Sequence, residues 1–150
     1  MDDFSSPNIT NYFNIPPSRF NRIQGGKRPL SSMSPVVVSD RNGESFLSLG
    51  AAGGTLIISG IAQALVRILY MKENLKETID QYRIHHQLYP NTLYYEPGFD
   101  LRILDTLHKQ YGHELTKITD RRSILTGVQR SNGSLSAYTD FRKGGSIDGI

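Results

Sequence analysis

From Leu49 to Met71 the chain carries a single charge, Arg67, and no other feature of the sequence limits its fold so severely. A run that apolar has to leave water, either across a bilayer or into the core of a folded domain. Ser59, Gln63 and Arg67 recur every four residues and draw one polar stripe along it. Ile57, Ile61, Ala64, Leu65 and Ile68 fill the opposite face, which is the pattern of an amphipathic helix on a soluble core. The glycines at its head, in Gly50-Ala51-Ala52-Gly53-Gly54-Thr55, shorten the usable span to about 16 residues, below the roughly 17–25 that a bilayer requires. The run is therefore read as a core helix. A small membrane-anchored protein is the alternative, and it requires this stretch to partition into detergent.

With 150 residues the chain has the size of one ordinary domain and can bury a core. The net charge of +3 is small, and basic residues come in pairs such as Lys27-Arg28 and Arg121-Arg122, so nothing marks a nucleic-acid surface. Zero cysteines exclude disulfides, a thiol nucleophile and thiolate metal ligands. The acidic, polar start, MDDFSSPNIT, is not a signal peptide.

Five of the seven prolines fall in the first 35 residues, mixed with Ser, Asn and Gly and without any period. A structureless stretch that long is functional or wrapped over a partner. Regular structure follows over residues 36–150. Val36-Val37-Val38 and Ser45 to Leu49 flank the hairpin signal Asn42-Gly43. Helices are read at Thr55–Tyr70, Leu75–Tyr82 and Asp100–Tyr111, with a short strand at Leu93–Glu96. Ser123–Arg130 and Leu135–Phe141 are joined by Ser131-Asn132-Gly133-Ser134, a second hairpin candidate. Hairpins with intervening helices give an α/β (α+β) fold, an antiparallel sheet covered by helices.

The glycines raise a chemical question. A helix N-terminus offers unpaired N–H groups and a positive dipole end, and Thr55 is the expected N-cap. Glycines ahead of it would let an anion approach without meeting a Cβ. The spacing fits neither a phosphate loop, whose lysine is absent, nor GxGxxG. On its own the turn reads more readily as a tight packing device.

Two more stretches, MDDFSS at Met1 to Ser6 and PLSSMSP at Pro29 to Pro35, stand in order with LGAAGGT and with Asp140-Phe141-Arg142-Lys143-Gly144-Gly145. Arg83-Ile84-His85 with Gln87-Leu88 adds an Arg-Leu-His-x-Gln-like segment. Together they closely resemble the small subunit of gamma-glutamyltransferase, from the first residue to the last few. The resemblance implies an N-terminal-nucleophile hydrolase, here part of a four-layer αββα sandwich. It implies that an N-terminal threonine attacks the gamma-glutamyl amide of glutathione and that the acyl group passes to water or to an amino-acid or dipeptide acceptor. It assigns the backbone N–H groups of Gly53 and Gly54 to the oxyanion hole, Asp3 to the donor's alpha-ammonium, and Ser31 and Ser32 to its alpha-carboxylate. Read without it, Asp3 is a solvated acid and the serines are loop or capping groups.

The resemblance also places the nucleophilic threonine, and an acidic residue that contacts the donor's amine, upstream of residue 1. The large subunit lies outside this chain as well, with an arginine that clamps the alpha-carboxylate and, in animal members, the membrane anchor. The chain therefore reads as a single partial domain, the C-terminal portion of the small subunit, and alone it is expected to be inactive. Tyr82 stands where the family usually has proline, which puts the local turn in doubt. His85, His86, His108 and His113 lack metal-ligand spacing, and no metal or cofactor is expected. His85 is read as satisfying local backbone or substrate-side hydrogen bonds. Asn8-Ile9-Thr10 and Asn132-Gly133-Ser134 are N-glycosylation candidates, in keeping with the extracellular face of the plasma membrane, reached through the large subunit. The alternative from another class is a catalytically inactive relative kept as a binding or scaffold protein.

Overall fold

A computed structural model describes residues 4–119 and 123–149. Two hairpins build its main sheet. β1 (Val36–Ser39) pairs antiparallel with β2 (Ser45–Ala52), and β6 (Ile124–Ser131) with β7 (Ser134–Thr139). β2 also pairs with β6, Leu49 opposite Gly127, so the four strands run β1-β2-β6-β7 and all are antiparallel. Asn132-Gly133 closes the second hairpin as the sequence suggests, with φ of 50° and 78°. At the first turn Asp40 does more than the Asn-Gly pair. Its Oδ1 accepts from the N–H groups of Asn42 and Glu44, and the ladder slips register between Val38 and Ser39.

Alternation turns Leu47, Leu49 and Leu125 to one face of the sheet. α1 (Leu56–Val66) covers them with Ile61 and Ala64, and α2 (Leu75–Asp80) with Leu75 and Ile79. Gly60 permits the approach of α1, since a Cβ there would lie 2.9 Å from Ser123 Oγ and 3.1 Å from Leu125 Cδ1. The apolar run thus buries the face that its periodicity predicted. Among the described residues no helix is long and apolar enough to cross a membrane. The helix continues past Val66 as a π-turn (Arg67–Met71), which Lys72 ends in a left-handed conformation. α2 is capped by Asn74, whose side chain accepts from Glu77 N–H while the Glu77 carboxylate reaches back to Asn74 N–H.

A second, three-stranded sheet joins β3 (Ile84–His85), β4 (Leu93–Tyr95) and β5 (Leu115–Lys117). β4 and β5 are parallel, with α3 (Leu101–Lys109) as their crossover, a departure from the all-antiparallel expectation. β3 and β5 have two and three residues, too few to show a period in the sequence. Tyr82 settles its own turn: its ring lies where a Cβ on Gly98 would be, at a glycine with φ of +102°.

Four buried charges hold these parts together. Asp140 Oδ2 accepts from Arg83 Nη2 at 2.7 Å and from Leu125 N–H at 3.0 Å. Its Oδ1 accepts from Arg142 N–H and Nη1. Arg142 grips both oxygens of Glu96, at 2.9 and 2.6 Å. Spare guanidinium donors reach the carbonyls of Ile79, Gln81 and Ser123. Burial alone would raise the Asp140 carboxyl, but the N–H donors of Leu125 and Arg142 and the two guanidiniums outweigh it and hold the group below its ordinary value.

Breaking one member of a buried pair strands the others, so Asp140→Asn should cost about 3–5 kcal/mol in urea unfolding. Because the folded carboxyl titrates below the unfolded one, its stabilisation is complete above a pH of about 3.9 and fades as the pH falls further. That portion of the acid sensitivity should vanish in Asp140→Asn. An unchanged urea midpoint would contradict the assignment.

Candidate active site

β2 runs into α1 through Gly53 and Gly54, whose φ values are +131° and +59°. Such angles suit glycine, which lacks the Cβ that would clash. The expected Thr55 cap does not form. Thr55 is already in the right-handed helical region, its side chain makes no capping bond, and its Oγ1 is buried without a partner among the described residues. The first helical donors turn to the glycines instead: Leu56 N–H bonds Gly53 O at 3.2 Å, and Ile57 N–H bonds Gly54 O at 3.1 Å. What remains at the turn are the glycines' own amides. Among the described residues, neither Gly53 N–H nor Gly54 N–H donates to another group.

Ser31 and Ser32 precede β1, whose first residue pairs in the C-terminal half of β2. β1 pairs with β2 so that Val36 faces Leu49. Continued backwards, that register would set Ser32 opposite Gly53 and Ser31 opposite Gly54, but Pro35 has no N–H with which to extend the ladder. The serines are thereby left in irregular backbone with their hydroxyls uncommitted to the sheet. Ser31 Oγ accepts from Met33 N–H at 3.2 Å, which leaves its own proton to donate. Asp3 lies outside the described residues. Asn8 and Asn132 are both exposed, each with positive φ. Among the described residues no three His, Cys, Asp or Glu side chains gather as metal ligands.

The polar stripe of α1 has a use that its periodicity did not disclose. Gln63 donates to Ile84 O at 2.7 Å and accepts from Ile84 N–H at 3.1 Å, pairing with the backbone of β3. Arg67 is paired with Glu73 at 2.7 Å. Ser59 Oγ lies 2.7 Å from His85 Nδ1, and His85 Nε2 lies 2.9 Å from Gln87 Oε1. His85 sits in β3, and its ring bonds side chains rather than the local backbone expected from the sequence. It is buried, and burial lowers its pKa against the opposing hydrogen bond to Gln87. Gln87 Nε2 in turn donates to the carbonyls of Phe13 at 3.0 Å and Tyr89 at 2.7 Å. The Phe13 ring reaches the glycine turn: an ideal Cβ on Gly54 would fall 2.0 Å from Phe13 Cζ. Sequence reasoning passed over Phe13, an aromatic in a stretch without a period. The only available signal was that Gln87 belongs to the same quoted segment as His85.

A family model described as Gamma-glutamyltranspeptidase matches residues 1–150, the entire chain. Scoloptoxin SSD14 of Scolopendra dehaani is 42% identical over 150 residues, 99% of this chain and 26% of its own length. Scoloptoxin SSD20 of the same animal is 41% identical, covering 100% of this chain and 76% of its own length. Glutathione hydrolase proenzyme 2 of Schizosaccharomyces pombe is 35% identical across 97% of this chain and 24% of the proenzyme. The chain thus spans about a quarter of two of these relatives and three quarters of the third. Among solved structures, the gamma-glutamyltranspeptidase of Pseudomonas nitroreducens complexed with L-DON superposes with a TM-score of 0.85 at 33% identity, over 99% of this chain and 78% of that one. The fold is therefore the mixed α/β fold of the N-terminal-nucleophile hydrolases.

Alanine at position 54 has to hold a left-handed backbone, at about 1–2 kcal/mol, and its methyl would also displace the Phe13 ring. Gly54→Ala should therefore lower the urea midpoint measurably. A variant as stable as the parent would show that this turn is not built as described.

Proposed function

The chain belongs to the gamma-glutamyltranspeptidase family, and from that premise we propose that residues 1–150 are the C-terminal, donor-binding portion of that family's small subunit. The observation that supports the proposal is the glycine turn, where two amides have no partner among the described residues, together with the position of Ser31 and Ser32 just ahead of β1, the neighbour of the strand that ends in that turn. The donor is glutathione or another gamma-glutamyl compound. Asp3 holds its alpha-ammonium, and the hydroxyls of Ser31 and Ser32 donate to its alpha-carboxylate.

The nucleophile, by family resemblance a threonine hydroxyl, is not assigned to any of these residues. Its oxygen attacks the gamma-carbonyl carbon, and the carbonyl electron pair moves onto oxygen. Gly53 N–H and Gly54 N–H receive that charge. One such donor is worth about 2.7–4 kcal/mol of transition-state stabilisation. Collapse of the adduct expels the amine, which leaves with a proton, and the resulting ester passes the glutamyl group to water or to the amino group of an amino acid or dipeptide. Neither metal nor cofactor takes part.

The large subunit is the proposed protein partner. Val37 and Val128 are exposed in one row across the main sheet, on the face opposite the helices, and Leu135 is exposed on the same face. A second sheet packed there would complete an αββα sandwich. Location at the extracellular face of the plasma membrane, through that subunit, accords with glycosylation at Asn8 and Asn132.

In the full-length protein carrying this chain, replacing Ser31 and Ser32 with Ala should raise KM for a gamma-glutamyl anilide several-fold with less effect on kcat. An unchanged KM removes the serines from the site. Residues 1–150 alone should release no chromophore from the anilide, and release would refute the assignment of the nucleophile elsewhere. Treatment of the native glycoprotein with an N-glycosidase should increase its gel mobility, and Asn8→Gln with Asn132→Gln should abolish that shift.

A further inference from the structure

The hydrogen bonds around His85 have directions that the partners fix. Both hydrogens of the Gln87 amide are taken, by Phe13 O and by Tyr89 O, so Oε1 can only accept, and it faces His85 Nε2. His85 Nε2 must then carry the proton, which leaves Nδ1 to accept the single Ser59 hydroxyl proton at 2.7 Å, a closer acceptor than Leu56 O at 3.3 Å. Burial keeps the ring in that neutral form. Every member is thus satisfied in one arrangement, and a network of that kind is stiffer than its separate bonds.

The chain of bonds also returns to where it starts. Ser59 stands in the first turns of α1, just after Gly53-Gly54-Thr55, and the last link, Phe13, lays its ring on Gly54. Phe13 is further shaped by Asn11, whose Oδ1 accepts from the N–H groups of Phe13 and Ile15 at 2.9 and 3.0 Å. The ring is therefore indexed to the same helix end that it covers, through a strand that is remote in sequence.

We propose that Ser59, His85 and Gln87 form a positioning relay that holds the Phe13 ring against Gly54 and so keeps water from one side of the glycine turn. Its value for the reaction rests on reading Gly53 and Gly54 as oxyanion donors, since a donor in a drier site acts more strongly on developing charge. The relay and its ring contact do not depend on that reading.

The test reads the ring directly. In the NMR spectrum of the 150-residue chain, an aromatic ring on Gly54 displaces that residue's α-proton resonances, and Phe13→Leu should return them toward ordinary glycine positions. Gln87→Leu and His85→Phe should give the same return. Gln87→Glu keeps an acceptor for His85 but loses both amide donors, and it should release the ring as well. It also decides the matter should Gln87→Leu fail to fold. Leu75→Ala, a destabilising change in the core away from the relay, should leave the Gly54 resonances in place. The proposal is overturned if the Gln87 variants leave Gly54 undisplaced from its parent position while Phe13→Leu moves it. It is equally overturned if Phe13→Leu changes nothing. In the full-length protein Gln87→Leu should lower kcat for a gamma-glutamyl anilide several-fold with KM little changed. A full-length protein without activity would instead sink the oxyanion reading and leave the ring contact to the spectra.

Discussion

Arg83, Glu96, Asp140 and Arg142 meet in the interior, and the rest of the molecule is arranged around their mutual satisfaction. Each belongs to a different piece of chain: the start of β3, the end of β4, the end of β7 and the turn beyond it. Their spare donors end on the carbonyls at the close of α2 and at the start of β6. Such burial is costly unless nearly every donor and acceptor is matched; here Arg142 is bidentate on Glu96, both Asp140 oxygens accept, and of the guanidinium nitrogens Arg83 Nε is left without a partner among the described residues. Hydrophobic contact supplies attraction between α1, α2 and the main sheet, but it is tolerant of sliding. The charged quartet is not, because a displacement of about one residue would leave a buried charge unpaired.

That constraint reaches the glycine turn by a short path. Arg83 and Glu96 fix β3 against β4, and β3 carries Ile84 and His85. Gln63 and Ser59 on α1 bond those two residues. The helix that begins at Gly53-Gly54 is therefore referenced to the quartet through β3, and not only through apolar packing on β2 and β6. Lys76, Asp80 and Tyr138 repeat the logic at the surface, where Tyr138 donates to Asp80 Oδ2 at 3.1 Å across α2 and β7. Exposed pairs of that kind add little stability.

The fold was legible in the sequence where a period was long enough to be counted. The apolar face of α1 and both hairpins of the main sheet follow from residue patterning alone. β3 and β5 do not, because two- and three-residue strands carry no alternation. At the site, local chemistry drew attention to the glycines but named the wrong cap: Thr55 makes no side-chain capping bond, and the first helical donors bond the glycine carbonyls. The acids and arginines of the quartet were visible as residues of quoted motifs, yet nothing in their spacing shows that positions 57 apart, as in Arg83 and Asp140, share a hydrogen bond. The resemblance supplied Ser31 and Ser32, which the bare sequence presents only as loop serines. Asp3 falls outside the described residues, so its part in the site is argued from the motif alone.

Rigid polar scaffolding and a bare backbone turn make physical sense as a pair. Amides that stabilise a transient oxyanion contribute most when they are aimed before the charge appears, because any reorganisation then counts against the rate. Glycine is the residue least able to hold such an aim, since its backbone has the widest choice of conformations. The stiffness has to come from neighbours. Here it comes from Leu56 and Ile57 N–H on the glycine carbonyls, from an aromatic ring laid on Gly54, and from a strand tied to buried charges. Under the proposed function, the most permissive residues stand where the developing charge would be received, and the least forgiving interactions lie one layer behind them.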